Sequence, residues 1–220
     1  MGAKGGGKSR GVEGPTLAGC NGRCKSVRGF HSTNVTAATF VSVIDEQWLL
    51  ILVQVPAQPS RHRVAVWREL RRIGAVPLSP GTWVLPAHPA FDEGLARAAA
   101  LVAKGDGSWT LVDAAPRDAG ADTFRSAFED ARLEEWNEFT ADCGKFEQEI
   151  AKEISREKFT FAELEEEEQS LERLRRWYRE LKSRDVLHLP QAAVASEHLA
   201  RCAEALEGYA SLVYEATLPQ

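Results

Sequence analysis

Five arginines crowd the stretch PSRHRVAVWRELRRIG, residues 59–74: Arg61, Arg63, Arg68, Arg71 and Arg72. The guanidinium fork suits phosphate and other oxyanions, because it offers paired N–H donors in one plane. At 100° per residue on a helix, Arg61, Arg68 and Arg72 fall within a narrow sector, and Val66, Leu70 and Ile73 take the opposite face. Arg71 flanks the basic sector and Arg63 lies near the apolar edge. Ser60 stands where an N-cap belongs, so the first turn, Ser60–Arg63, adds free N–H groups that favour an anion. A merely solvated polar face is the competing reading, since arginine is a good helix former. The imbalance favours anion binding: Glu69 is the only acid of this helix in a chain rich in acids.

Other chemistry-bearing residues carry less. GAKGGGKS, residues 2–9, matches the P-loop pattern G-x-x-x-x-G-K-[ST], but only Met1 precedes it, and glycines and a proline follow where a helix should run. Without strand and helix the pattern is a chance match. His62 reads as a surface histidine or as an accessory to anion binding. Trp67, Trp83 and Trp109 read more cheaply as core than as base-stacking groups. The acidic run ELEEEEQ, residues 163–169, is expected as the solvated first turns of a helix, with RLRRWYRELKSR as its basic end and Glu172 paired to Arg176. Nothing resembles a nucleophile–histidine–carboxylate set, and Glu197 beside His198 lacks the E-x-x-H spacing of di-iron bundles. Cys20, Cys24, Cys143 and Cys202 include no C-x-x-C, and the last two fall on helical core positions. A reduced, cytoplasmic protein with no metal and no cofactor is expected.

The chain has 220 residues, is 44% hydrophobic and carries a formal net charge of −5, spread unevenly. Residues 1–44 hold six bases against Glu13, residues 46–90 five arginines against Glu46 and Glu69, and acids prevail from Asp122 onward. An acidic chain can therefore still offer a basic face to a polyanion. The longest apolar run, WLLILVQV at 48–55, is shorter than the roughly 20 residues that a membrane helix needs. No secretory signal is visible, and the glycine-rich basic tail, residues 1–44, is expected to be disordered.

These side chains must be positioned by ordered elements. QWLLILVQV (47–55) reads as a central strand covered on both faces, and Pro56 and Pro59 end it. The arginine helix follows and Gly74 stops it. AVPLS and TWVLP, 75–79 and 82–86, form a hairpin across Pro80-Gly81, with Pro77 suited to an edge. A helix spans about 89–104, and SWTLVDA, 108–114, is the last strand. Strand, helix, strand, strand, helix, strand is the ferredoxin-like order, with two helices on one face of an antiparallel sheet. Beyond it, Trp136, Phe139, Cys143, Phe146 and Ile150 step by three and four. Leu164, Leu171, Leu174, Tyr178 and Leu181 keep that period with one gap, and Leu199, Cys202, Leu206, Tyr209 and Val213 repeat it. Three such heptad-patterned helices must pack on one another or on a second chain. The expected fold is thus α+β: a sheet domain at 45–116 and a three-helix region at 117–220.

WLLILVQVPAQPSRHRVAVWRELRRIGAV, followed by LSPGTWVLP, resembles the N-terminal domain of the chromate resistance protein ChrB, as do EKFTFAELEEEEQSLERLRRWY (157–178) and the final helical stretch. A weaker similarity links 48–114 to the sheet domain of phenylacetate-operon repressors, itself like the CRISPR-associated ferredoxin-like ribonucleases. The resemblance implies a bacterial cytosolic regulator, dimeric, that binds operator DNA and responds to chromate. Members of that family often continue into a second domain, whereas this sequence stops at Gln220.

The leading expectation is a non-enzymatic regulator whose Arg61, Arg63, Arg68, Arg71 and Arg72 engage DNA phosphates, with the heptad helices joining two copies into a homodimer. A sensor that holds chromate on the same arginines, and a structural partner module without DNA binding, are the alternatives. A nuclease is disfavoured, because no acid occurs from Gln47 to Arg68, where those ribonucleases carry a metal-binding acid.

Overall fold

The computed structural model describes residues 47–115, 117 and 120–218. The tail, with its P-loop-like stretch and Cys20 and Cys24, lies outside the described residues. The order is β1 (Trp48–Gln54), α1 (Ser60–Ile73), β2 (Val76–Ser79), β3 (Thr82–Pro86), a 3-10 turn (Pro89–Phe91), α2 (Asp92–Lys104), β4 (Ser108–Ala114), α3 (Gly120–Ser155), α4 (Phe161–Arg184) and α5 (Gln191–Thr217). The fold is α+β and mostly helical. Its sheet is antiparallel throughout, in the order β2-β3-β1-β4.

β1 lies inside the sheet, with Ile51 paired to Trp83 on one side and Leu111 on the other. Period-2 alternation sends Leu49, Ile51 and Val53 into the core that Val66, Leu70, Ile73, Leu95, Ala98 and Val102 complete. The expectation that β1 is covered on both faces holds only at one end. There Trp48 packs edge-on against Phe124 and Phe128 of α3, while Leu52 is 40% exposed. Pro77 sits on the edge strand β2, where its missing N–H costs no ladder bond.

Gly74 ends α1 at φ 90°, the left-handed conformation that favours glycine, and its N–H bonds to the Arg71 carbonyl. Gly81 takes φ 77° in the hairpin turn, and a side chain there would meet the Val53 carbonyl 2.5 Å away. Ser60 is the first helical residue of α1, not its cap. Pro59 fills the cap position, in extended backbone, with no side-chain hydrogen bond.

The three apolar stripes face one another. Trp136, Phe139, Cys143, Phe146 and Ile150 of α3 are buried with Leu164, Leu171, Leu174 and Leu181 of α4 and Cys202, Leu206, Tyr209 and Val213 of α5. Thr160 caps α4, its hydroxyl accepting from the Glu163 N–H at 3.2 Å. The stripes thus bury one another within one chain.

Candidate functional site

Val66, Leu70 and Ile73 dock α1 on the sheet, and helical periodicity turns Arg61, Arg63, Arg68, Arg71 and Arg72 outward, all exposed. The structure separates the five by what they touch. Arg72 is tied to Glu69 by two hydrogen bonds, 2.8 Å from Nε and 2.5 Å from Nη2. Glu69 also accepts from Arg97 Nε of α2 at 3.0 Å. The Arg72 guanidinium holds the Glu69 carboxyl below its ordinary range against the opposing effect of burial, with Arg97 adding to the pull. Glu69 in turn raises Arg72. Arg72 therefore belongs to an ion-pair cluster that joins α1 to α2.

Arg61, Arg63 and Arg68 have no carboxylate within ion-pair distance among the described residues. Arg71 has none either, and its guanidinium lies 5.9 Å from the centre of the Trp67 ring. The unneutralised face is consequently Arg61, Arg63, Arg68 and Arg71, and not the sector of Arg61, Arg68 and Arg72 that helical geometry alone selects. No acid stands in the first turn of α1.

The far end of α1 is held by residues that sequence reasoning missed. Arg132 of α3, 3% exposed, donates from Nη1 to the Gly74 carbonyl at 3.0 Å. Arg184 of α4 donates to the Arg72 carbonyl at 3.2 Å. Both ion-pair with Glu135, at 3.0 and 3.1 Å. Two cations thereby face the negative end of the α1 dipole. Burial lowers the Arg132 pKa to about 10, the Arg184 charge pushes the same way, and Glu135 and Asp185 oppose it. Asp185, 1% exposed, accepts from Trp136 Nε1 at 3.1 Å and from the Leu189 N–H. The available signal was the apolar period itself: Arg132 stands four residues before Trp136, and Asp185 four after Leu181, on positions that otherwise carry core residues.

The tryptophans do not behave alike. Trp83 is buried and Trp109 half-buried, as core residues would be, whereas Trp67 is 54% exposed. His62 is half-buried, packed where α1 passes Gly105. Glu172 pairs with Arg179 at 3.0 Å, and with Arg175, rather than with Arg176. Among the described residues no group of three His, Cys, Asp or Glu is arranged to hold a metal. Cys143 and Cys202 are free and buried, with the Cys202 thiol donating to the Cys143 carbonyl at 3.4 Å.

Comparison with known proteins bears on the whole arrangement. The model of the family described as Protein ChrB, N-terminal, matches residues 63–220, well over half of the chain. The chain belongs to this ChrB N-terminal family. Its matched segment takes in Arg63, Arg68, Arg71 and Arg72 together with the Arg132–Glu135–Arg184 clamp, and leaves Arg61 just outside. Protein ChrB of Cupriavidus metallidurans is 32% identical over 83 residues, 37% of this chain and 26% of that protein. The match thus spans about a quarter of the relative's length. Among the described residues no helix is long and apolar enough to cross a membrane.

Proposed function

We propose that this chain is a non-enzymatic regulatory module associated with chromate resistance, and that it binds operator DNA through the outer face of α1 in response to chromate. Membership of the ChrB N-terminal family supports the chromate association. The observation that carries DNA binding is the set Arg61, Arg63, Arg68 and Arg71, exposed on one helix with no acid partner among the described residues. Arg97 and Arg179 by contrast are answered by carboxylates. Strand order β2-β3-β1-β4, with α1 and α2 as the crossovers, supports reading the sheet unit as ferredoxin-like.

Phosphate contacts position a protein on a duplex without reading sequence, so their signature is salt dependence. With a duplex from the region upstream of its own gene, the logarithm of the binding constant should fall linearly with the logarithm of salt concentration. Replacing Arg61 and Arg68 by Ala should flatten that slope by about 1.8, two phosphate contacts at roughly 0.9 each. Replacing Arg72 should change it less, since Glu69 already holds that group. Equal slopes for the double variant and the parent would remove α1 from the interface. Chromate at millimolar concentration should weaken the complex where sulfate does not, and identical effects of the two anions would end the chromate part of the proposal.

A further inference from the structure

Trp67 breaks the rule that the other five tryptophans keep. Trp48, Trp83 and Trp136 are buried, Trp109 and Trp177 partly so, and only Trp67 stands mostly in solvent. It does not stand on a plain surface. Together with Arg63 it forms one wall of a cleft of about 410 Å³ between α1 and the β2–β3 hairpin. Trp83 and Gln54 come from the sheet below, and Pro80 and Gly81 form the opposite lip. No carboxylate lines this cleft. Arg63, Trp67 and Arg71 recur every four residues, so they form one stripe along α1, with Arg71 stacked toward the indole.

The chemistry of the cleft is selective. Aromatic groups ask for a flat ring to lie against, since every base has a π-face and the indole is the best platform for it. Arg63 and Arg71, eight residues and hence about 12 Å apart along the helix, flank the indole with charge suited to the backbone phosphates near a stacked base. A paired base in a duplex is hidden in its stack and offers an indole no face. We propose that the Trp67 cleft takes an unpaired nucleobase of single-stranded nucleic acid, with Arg63 and Arg71 on backbone phosphates near it. This rests on reading α1 as a nucleic-acid-binding helix, and it adds a ligand form that duplex phosphate contacts neither require nor explain.

The test compares two labelled oligomers of about ten nucleotides by fluorescence anisotropy, one of thymidines and one abasic throughout, which keeps the phosphates and removes the rings. The parent should bind the thymidine oligomer about tenfold more tightly than the abasic one. Trp67→Leu should erase that preference, and Trp67→Phe, which restores a ring, should keep most of it. Trp67 is largely exposed, so both variants should fold, and their circular dichroism checks this. Equal affinity of the parent for the two oligomers overturns the proposal, as does a preference that survives in Trp67→Leu. A Trp67→Leu loss of the same size on duplex and on single strand also overturns it, because the residue would then be a general contact. The duplex salt titration separates this proposal from the operator reading. Base preference without duplex binding leaves the cleft and removes the operator, duplex binding without base preference does the reverse, and no binding to either sinks both.

Discussion

Glu167 occupies the single gap in the apolar period of α4, between Leu164 and Leu171, and it is buried there. A carboxylate in that position loses water, and its neighbours Glu149, Glu153, Glu163 and Glu166 add like charge. Burial first, and those charges after it, raise its pKa above the ordinary carboxylate value. In the unfolded chain the group titrates near 4.3. Between that value and the higher native one, the folded protein keeps a proton that the unfolded chain has released. Stability therefore falls as pH climbs through this window, and the full penalty persists above it. Glu167→Gln should raise the thermal midpoint at pH 7, with the gain shrinking to nothing as the pH approaches about 4. A gain of constant size across that range would show that the charge of Glu167 is not its cause.

At the scale of elements, the decisive joint is where α1 meets α3 and α4. Glu135 holds Arg132 and Arg184, and they in turn hold the last carbonyls of α1. Glu135→Gln keeps the shape and removes the charge, leaving the buried Arg132 without its principal counter-ion. Breaking a buried pair costs about 3–5 kcal/mol, and partial exposure of Glu135 brings the expectation to about 2 kcal/mol. Arg132→Met, which removes the charge together with its need for a partner, should cost less. Urea unfolding at unchanged slope measures both, and the reverse order would refute the clamp. The element boundaries were legible because local signals set them: Pro80-Gly81 makes the turn, Gly74 the stop, and the three-four spacing the stripes. The clamp was not, because Gly74 and Arg132 are 58 residues apart, and only the fold brings a donor to that carbonyl. Likewise α1 was legible as a basic helix, and the Glu69–Arg72 pair is a local contact three residues apart, but the arrival of Arg97 from α2 on the same carboxylate was not. The cleft that joins Trp67 to Pro80 and Gly81 was not legible either, because only the fold brings α1 beside the β2–β3 hairpin.

At the scale of the whole molecule, a net charge of −5 sets a question for any polyanion-binding surface. Its answer lies in the length of α4. That helix ends at Arg184, which touches the C-terminal carbonyls of α1, and the exposed acids Glu165, Glu166 and Glu168 stand at its other end. From Glu165 to Arg184 the helix rises about 28 Å, several times the roughly 8 Å over which charges are screened at physiological ionic strength. The acidic run therefore neither neutralises the α1 arginines nor repels a duplex seated on them. Replacing Glu165, Glu166 and Glu168 by Gln changes the net charge by three, more than replacing Arg61 and Arg68 by Ala. If total charge governed binding, the triple variant would gain affinity strongly. If the local face governs it, affinity for duplex at physiological salt should change by less than about twofold, while the arginine pair loses about tenfold or more. Electrophoretic shift of one duplex by the parent and both variants decides between these, and a large gain in the triple variant would move the interface away from α1.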